Sequence, residues 1–296
     1  MSLESAVITF PILGEGFVLN PPRFFTVFGF NVYLYGPIMA VGFLLGMLYL
    51  WKRCDALGIA RETVFDMVLL AIPSGIIGSR IYYVIFTPSE FFGAGARWQD
   101  IFNIRLGGLA IYGGVLGAAL AYFIYSRVKK MPLSKLADAG AFGLFIGQSV
   151  GRWGNFINRE AFGVATTVPW RMGLTTTAGT IYVHPTFLYE SLWNIIGLLF
   201  LHVFSKKRKV KYNGQLFFIY VAWYGLGRFF IESLRTDSLF LFNTDIRVSQ
   251  LLAALSFVAA IAAMIWSRKR AAPVISDVPP PEEAESPSDE PGDAPT

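Results

Sequence analysis

Reactive and metal-binding side chains are scarce in this sequence. A single cysteine among 296 residues excludes an internal disulfide and a cysteine-cluster metal site. Two histidines leave no material for a histidine-rich cage, so neither a metal nor a cofactor is expected. Charge is also short: 15% of residues are Asp, Glu, Lys or Arg, against roughly 25% in an ordinary water-soluble domain. With 54% hydrophobic and 16% aromatic residues and a mean hydropathy of +0.51, the chain cannot cover its own apolar surface in water. It reads as an integral membrane protein. The first ten residues contain no Lys or Arg, so the basic segment that opens a cleavable export signal is not expected.

What is abundant is long apolar sequence. A bilayer-crossing helix needs about 20 mostly apolar residues, and seven stretches approach that: 33–51, roughly 64–86, 106–126, 136–155, 185–204, 213–233 and 248–267. The expected fold is all-α, with seven transmembrane helices spanning 33–267. The fourth stretch is the weakest, because only 13 residues (139–151) separate Asp138 from Arg152. Fifteen of the 25 basic residues fall in alternate connections, after the first, third, fifth and seventh stretches. Those connections read as cytoplasmic, which puts the N-terminal segment 1–32 outside and the C-terminus inside. The connection at about 156–184 is long enough for a small extracytoplasmic cap. Residues 268–296 read as a cytoplasmic tail, and from 271 onward it is Pro-rich with seven acidic and no basic side chains. Such a composition predicts disorder. Removing that acidic stretch from the formal +5 leaves +12 on the membrane body. The basic character therefore belongs to membrane topology and anionic lipid, and no nucleic-acid partner is expected.

The ten basic residues outside the cytoplasmic connections are all arginines, including Arg23, Arg97, Arg105, Arg159, Arg171 and Arg247, while all nine lysines are cytoplasmic. Arginine presents a planar fork of donors suited to phosphate or carboxylate. Ionisable groups within spans are costly and point to function. Arg80, Arg152, Glu190, Arg228 and Glu232 all fall near the outer ends of their spans. Arg228, Glu232 and Arg235 follow an i, i+4, i+7 spacing and would share one helical face. Such a cluster suits an anionic lipid headgroup; it also suits an ion-pair network tying the helices together, and the two are compatible. The densest polar segment is GRWGNFINREAFG (151–163), whose asparagines Asn155 and Asn158 and glycines at membrane depth imply a polar cavity. Cys54 reads as cytoplasmic filler and His202 as interfacial. His184, opening HPTFLYES (184–191), either orients the chain or touches substrate.

These segments resemble the prolipoprotein diacylglyceryl transferase family. The resemblance lies in GRWGNFINREAFG, HPTFLYES and GRFFIESLRTDSL (227–239), with YLYG (33–36), GSRIYYVIF (78–86) and AIYGG (110–114) in the same order. It covers about residues 30–266. It implies a bacterial inner-membrane enzyme, its site facing outward, that moves the diacylglyceryl group of phosphatidylglycerol to the lipobox cysteine of a preprolipoprotein. The products are a thioether and glycerol phosphate. The resemblance implies that Arg152 binds the lipid phosphate and Arg228 supplies charge during transfer. It assigns Tyr35, Asn155, Glu160, Gly163, Glu232 and Arg235 to further motif positions; Asn158, His184, Glu190 and Arg80 join them as candidate substrate contacts. Many members carry His-Gly-Gly where this chain has Tyr112-Gly113-Gly114. A neutral tyrosine with a pKa near 10 is a weak base, so Tyr112 either draws on nearby arginines or only positions the incoming thiol.

Other classes fit less well. A lipid or anion transporter with an outward arginine-lined site should show inverted repeats and midplane binding residues, and neither is visible. A seven-helix photoreceptor needs a lysine inside the bundle. A metal-dependent phosphatidyltransferase needs paired aspartates in a span, whereas Asp66 and Asp138 stand singly.

Overall fold

The computed structural model describes residues 5–14, 16–93, 95–104, 107–207, 210–241 and 244–270. The acidic tail from 271 onward, Arg105, Arg208 and Lys209 lie outside the described residues. The chain is mainly helical. Seven long helices, one in each apolar stretch, run α1 (Tyr35–Leu57), α2 (Arg61–Phe86), α4 (Ile111–Val128), α5 (Leu133–Asn158), α6 (Thr186–Lys206), α7 (Gln215–Glu232) and α8 (Val248–Arg270). A one-turn helix, α3 (Ser89–Phe92), lies in the α2–α4 connection. Five of the long helices, all but α5 and α7, are long and apolar enough to cross a membrane. Their outward faces are apolar, with Leu69, Ile77, Ile85, Ile111 and Val258 exposed, as expected for surfaces solvated by acyl chains.

The all-α expectation needs correction, because six short strands occupy the end of the bundle where α5 and α7 finish. Strands β1 (Val7–Thr9), β2 (Val18–Leu19), β5 (Met172–Thr176) and β6 (Gly179–Val183) form an antiparallel sheet in the order β2-β1-β5-β6. A separate hairpin pairs β3 (Phe24–Val27) with β4 (Phe30–Tyr33). Its turn at Phe28 and Gly29, both at positive φ, suits the right-handed twist of the two strands. Hydropathy windows miss segments of two to five residues that become stable only through distant partners. The N-terminal segment and the 156–184 connection are thus one layer. Arg159 fastens it: at the α5 C-terminus in the left-handed region, it donates to the Ala6 carbonyl at 3.1 Å, Pro21 O at 2.9 Å and Asn20 Oδ1 at 2.7 Å.

Two apolar cores result. One, around Phe142, Phe145, Leu201, Leu216 and Met67, fills the bundle; the other packs Ile8, Leu174, Met172 and Val183 of the sheet against Phe156 and Phe187. Helices α2 and α4 approach closely, because a Cβ on Gly78 would lie 2.9 Å from the Gly117 Cα; small residues permit such contact in membranes. The third apolar stretch becomes helical only at Ile111. Gly107 and Gly108, expected inside the span, adopt φ of +89° and +72°, and their carbonyls accept hydrogen bonds from Arg80 Nη1 at 2.9 Å. The weakest stretch is by contrast a 26-residue helix, α5. Its Asp138 carboxylate accepts from the Gly214 N–H at 2.6 Å and the Phe217 N–H at 2.9 Å, capping the otherwise unsatisfied start of α7.

Candidate active site

The charged residues at the ends of α5, α6 and α7 meet in one buried network. Glu190, in the second turn of α6, has a side chain only 4% exposed. Its Oε2 lies 2.6 Å from Arg152 Nη2, and its Oε1 lies 2.9 Å from Arg228 Nη1 and 3.8 Å from Arg235 Nη1. Arg228 turns its other nitrogen, Nη2, to Glu232 Oε2 at 2.6 Å, using the i, i+4 spacing on α7. Arg235 does not continue that face, because α7 ends at Glu232. It returns through the following turn, pairs its backbone with Gly163, and brings its Nε to 3.9 Å from Glu232 Oε2. Three guanidiniums from α5, α7 and the post-α7 turn thus surround two buried carboxylates.

Polar side chains fix this arrangement from its rim. Arg152 Nη1 donates to Asn155 Oδ1 at 3.2 Å, and Asn155 Nδ2 donates to Glu160 Oε1 at 2.8 Å. Asn158 Nδ2 adds a 3.3 Å bond to the same Glu160 oxygen. Tyr35, opening α1, lies against Gly154: a Cβ there would meet its ring at 2.6 Å. Gly163 is equally constrained, since a Cβ would come within 2.7 Å of the His184 Cβ and 3.1 Å of the Leu234 carbonyl. The close packing lets the 163–165 backbone bond to both neighbours: Gly163 N–H donates to His184 O at 2.9 Å and Val164 N–H to Leu234 O at 2.7 Å. His184 Nδ1 is 3.1 Å from the Tyr189 hydroxyl, which also accepts from Trp170 Nε1 at 2.8 Å. Burial holds the His184 imidazole below its ordinary pKa, favouring the neutral ring.

Two predicted residues fall elsewhere. Arg80 is buried, but its guanidinium is taken up by backbone carbonyls: Nε to Ile101 O at 2.7 Å, Nη2 to Asp100 O at 2.5 Å, and Nη1 to Gly107 and Gly108. It clamps the segment before α4 and is not brought into the Glu190 network. Tyr112, in the first turn of α4, is partly exposed, with its ring 6.4 Å from that of Tyr82. Cys54 is buried, and His202 Nδ1 meets the Tyr49 hydroxyl, far along α6 from the network.

Sequence reasoning did not single out Asp237 and Ser238, and it named Arg247 only among the outer arginines. Asp237 takes both Arg235 Nε at 2.9 Å and Nη2 at 2.6 Å. Burial raises its pKa, but the Arg235 fork overrides that and holds the carboxyl below the usual range. Ser238 Oγ donates to Glu232 Oε1 at 2.8 Å, and Arg247 Nη1 donates to the Glu232 carbonyl. The signal for the first two was their place in the LRTDSL run, two and three residues beyond Arg235. Among the described residues, no group of three or more His, Cys, Asp or Glu is arranged to hold a metal. Between α6 and α7 a narrow crevice borders the network, lined by Glu190, Trp193, Asn194, Tyr224, Gly227 and Arg228.

Comparison with known proteins adds an independent line. A family model described as prolipoprotein diacylglyceryl transferase matches residues 22–266. The chain is 42% identical over 246 residues to a phosphatidylglycerol–prolipoprotein diacylglyceryl transferase of Clostridioides difficile, covering 83% of this chain and 95% of that one. It is 40% identical over 260 residues to the protein of that name from Enterococcus faecalis, covering 83% and 90%. For the Bacillus cytotoxicus protein of that name, identity is 41% over 255 residues, covering 81% and 89%.

Proposed function

The chain belongs to the prolipoprotein diacylglyceryl transferase family, and we propose that the Glu190-centred arginine network is where it carries out that transfer. It is a membrane-embedded transferase that uses phosphatidylglycerol as donor and a prolipoprotein as acceptor. The transporter reading finds no support in the relatives.

The finer chemistry follows from the charges. The lipobox thiol of the acceptor gives up its proton, which ends on the departing glycerol phosphate, and its sulfur attacks the glyceryl carbon that bears the phosphate. The carbon–oxygen bond breaks, a thioether forms, and glycerol phosphate leaves with the electron pair. Negative charge accumulates on the phosphate as that bond breaks. Arg152 and Arg228 are suited to stabilise it, because fixed guanidinium donors in a water-poor site are effective where charge develops. Glu232 and Glu190 aim those forks, with Arg235 completing the cationic side. Asn155, Asn158 and Glu160 support Arg152; Tyr35, Gly163 and His184 shape the approach. Tyr112 fits the role of positioning the thiol, since its ring lies beside that of Tyr82. Arg80 acts through the backbone segment it clamps.

The orientation follows the lysine and arginine distribution. All seven long helices span the bilayer, 33–267 forms the catalytic domain, and segment 1–32 with the cap at 156–184 faces outward from the bacterial plasma membrane. Residues 268–296 lie on the cytoplasmic side. The observation that carries the reading is the convergence of Arg152, Arg228 and Arg235 on one buried carboxylate. The deciding experiment mixes purified protein, phosphatidylglycerol and a lipobox peptide. Mass spectrometry should find a diacylglyceryl adduct on the cysteine, and its absence would sink the proposal.

A further inference from the structure

The segment just before α1 carries an apolar surface that the fold leaves open. Strands β3 and β4 pair Phe24 with Tyr33, Phe25 with Val32, Thr26 with Asn31 and Val27 with Phe30. Directly opposed residues share a face and successive ones alternate, so the hairpin has two unlike sides. One carries Thr26 and Asn31, whose side chains are hydrogen-bonded at 2.9 Å, beside the rings of Phe24 and Tyr33. The other is wholly apolar, formed by Phe25, Val27, Phe30 and Val32, with Phe25 and Val27 exposed. At the tip, Phe28 adopts a φ of +49°, which a bulky side chain rarely takes. It is also 96% exposed, so the ring gains no burial within the fold in return. A two-stranded hairpin is at best marginally stable in water by itself, and an open apolar patch marks a surface with a partner.

Sequence and helix length identify that partner. Residues 24–51 contain no Asp, Glu, Lys, Arg or His, so the hairpin and most of α1 form one charge-free run. Only Leu34 separates β4 from α1, and its N–H donates to the Arg23 carbonyl at 2.8 Å, closing the hairpin base at the start of the helix. Along α1, Val41, Leu44, Leu45 and Leu48 are exposed, as suits a lipid-facing helix. Its charge-free part, 35–51, rises roughly 25 Å, short of the roughly 30 Å hydrocarbon core, and tilt only widens the shortfall. The outer leaflet therefore reaches past Tyr35 to the level of the hairpin.

We propose that the β3–β4 hairpin is a lipid-binding element lying flat in the interface of the outer leaflet. Its Phe25–Val27–Val32 side and Phe28 face the acyl chains, and its Thr26–Asn31 side faces water. The seat is shallow, because each strand of this two-stranded sheet keeps one open edge, whose backbone groups need water or headgroups. The hairpin thereby holds the start of α1 at a fixed depth, and with it Tyr35, which lies against Gly154, two residues from Arg152. This requires only that α1 crosses the bilayer, and it holds whatever chemistry the arginine network performs.

A nitroxide label placed in turn at Phe25→Cys, Thr26→Cys, Val27→Cys and Phe28→Cys of the full chain would measure the depth, in nanodiscs of phosphatidylglycerol and phosphatidylcholine. The native protein, whose single Cys54 is buried, supplies the background. Accessibility to oxygen, which concentrates among acyl chains, is compared with accessibility to a water-soluble nickel chelate. Labels at 25, 27 and 28 should favour oxygen, with that at 28 about 5–10 Å into the headgroup and acyl boundary. The label at 26 should favour the chelate, as should one at Ala178→Cys, exposed in the β5–β6 turn. Chelate access at all four hairpin positions, matching that at 178, would put the hairpin in water and overturn the proposal. Shielding from both reagents overturns it too, since that marks a protein cover such as a second copy. Oxygen preference without alternation defeats the flat seat, because the Thr26 side would then be immersed. Should a labelled variant fail to fold, Val32→Cys reports on the apolar side and Asn31→Cys on the polar one.

Discussion

Replacing Glu190 with glutamine removes one charge while keeping the shape of the side chain, and it isolates what the network contributes. The carboxylate sits 2.6 Å from Arg152 and 2.9 Å from Arg228, with Arg235 at 3.8 Å. Without it, three guanidiniums must share Glu232 and Asp237. At charge separations near 4 Å and an effective dielectric of about 20, each close pair is worth about 4 kcal/mol before desolvation. Breaking a buried pair from one side costs about 3–5 kcal/mol. Glutamine still offers one acceptor oxygen, so the lower end, about 3 kcal/mol of lost stability, is expected. The assay is thermal unfolding in nanodiscs, once in purely zwitterionic lipid and once with phosphatidylglycerol. Glu190→Gln should melt well below the native protein in the zwitterionic discs. The gap should narrow with phosphatidylglycerol, because the lipid phosphate supplies the missing negative charge. Transfer should fall by about 100-fold, since Arg152 and Arg228 lose their common anchor. Equal melting temperatures in zwitterionic lipid, or a gap indifferent to the lipid, would refute the reasoning.

Arg152→Lys and Arg228→Lys should each reduce transfer by at least about 100-fold while the protein still elutes as a folded species, because lysine keeps the charge but loses the two-pronged geometry; full activity in both would contradict the site. Gly163→Ala drives a methyl into the His184 Cβ 2.7 Å away, so a loss of about 1–3 kcal/mol should appear as a lower melting temperature, with activity falling alongside. Arg80→Met removes the donors to Ile101, Gly107, Gly108 and Asp100; limited proteolysis should speed up within 97–110, while transfer suffers less than in Arg152→Lys. His184, whose pKa burial holds below 6.5, contributes stability that is complete above about pH 6.5 and lost as pH falls through its folded value. Unfolding midpoints measured from pH 7.5 to 5 should therefore decline, and His184→Asn should flatten that decline.

Apolar runs made the helices legible, and a long helix covers most of each of the seven stretches. Where hydropathy was least persuasive, the reason is that charges within a helix were answered from far away in sequence. Asp138 and Arg152 read as the limits of a 13-residue stretch, yet α5 runs through both, because Asp138 caps α7 and Arg152 meets Glu190. The arginines and glutamates of the buried network were legible for the same physical reason: charge at membrane depth needs a partner. The strands were not legible. β1 pairs with β5 across more than 160 residues, and no local pattern announces such a partner. Arg80 shows the converse error, since a buried arginine near the outer end of a span satisfies the same sequence criteria whether it meets a phosphate or four carbonyls. Asp237 was passed over although it follows Arg235 by two residues, because half-exposed loop carboxylates are common.

If the donor binds at this network, the near-neutrality of the charges there determines which contact must give way. Arg152, Arg228 and Arg235 are balanced by Glu190, Glu232 and Asp237, and an unbalanced trio of buried guanidiniums would be too costly to hold. The three carboxylates are not equally fixed. Glu232 is anchored by the Ser238 hydroxyl at 2.8 Å besides its arginines, and Asp237 grips Arg235 with both oxygens. Among the described residues, Glu190 is held by arginines alone. A phosphate that takes over the Arg152 fork displaces Glu190 at the smallest cost, because the released carboxylate can move toward Arg235, already 3.8 Å away. Arg228 stays aimed by Glu232 throughout, while Asn155 retains Arg152. Donor binding there would replace Glu190 by phosphate at the Arg152 fork and leave Glu190 to Arg235, and this exchange would tie the lipid dependence of Glu190→Gln stability to the loss of its transfer.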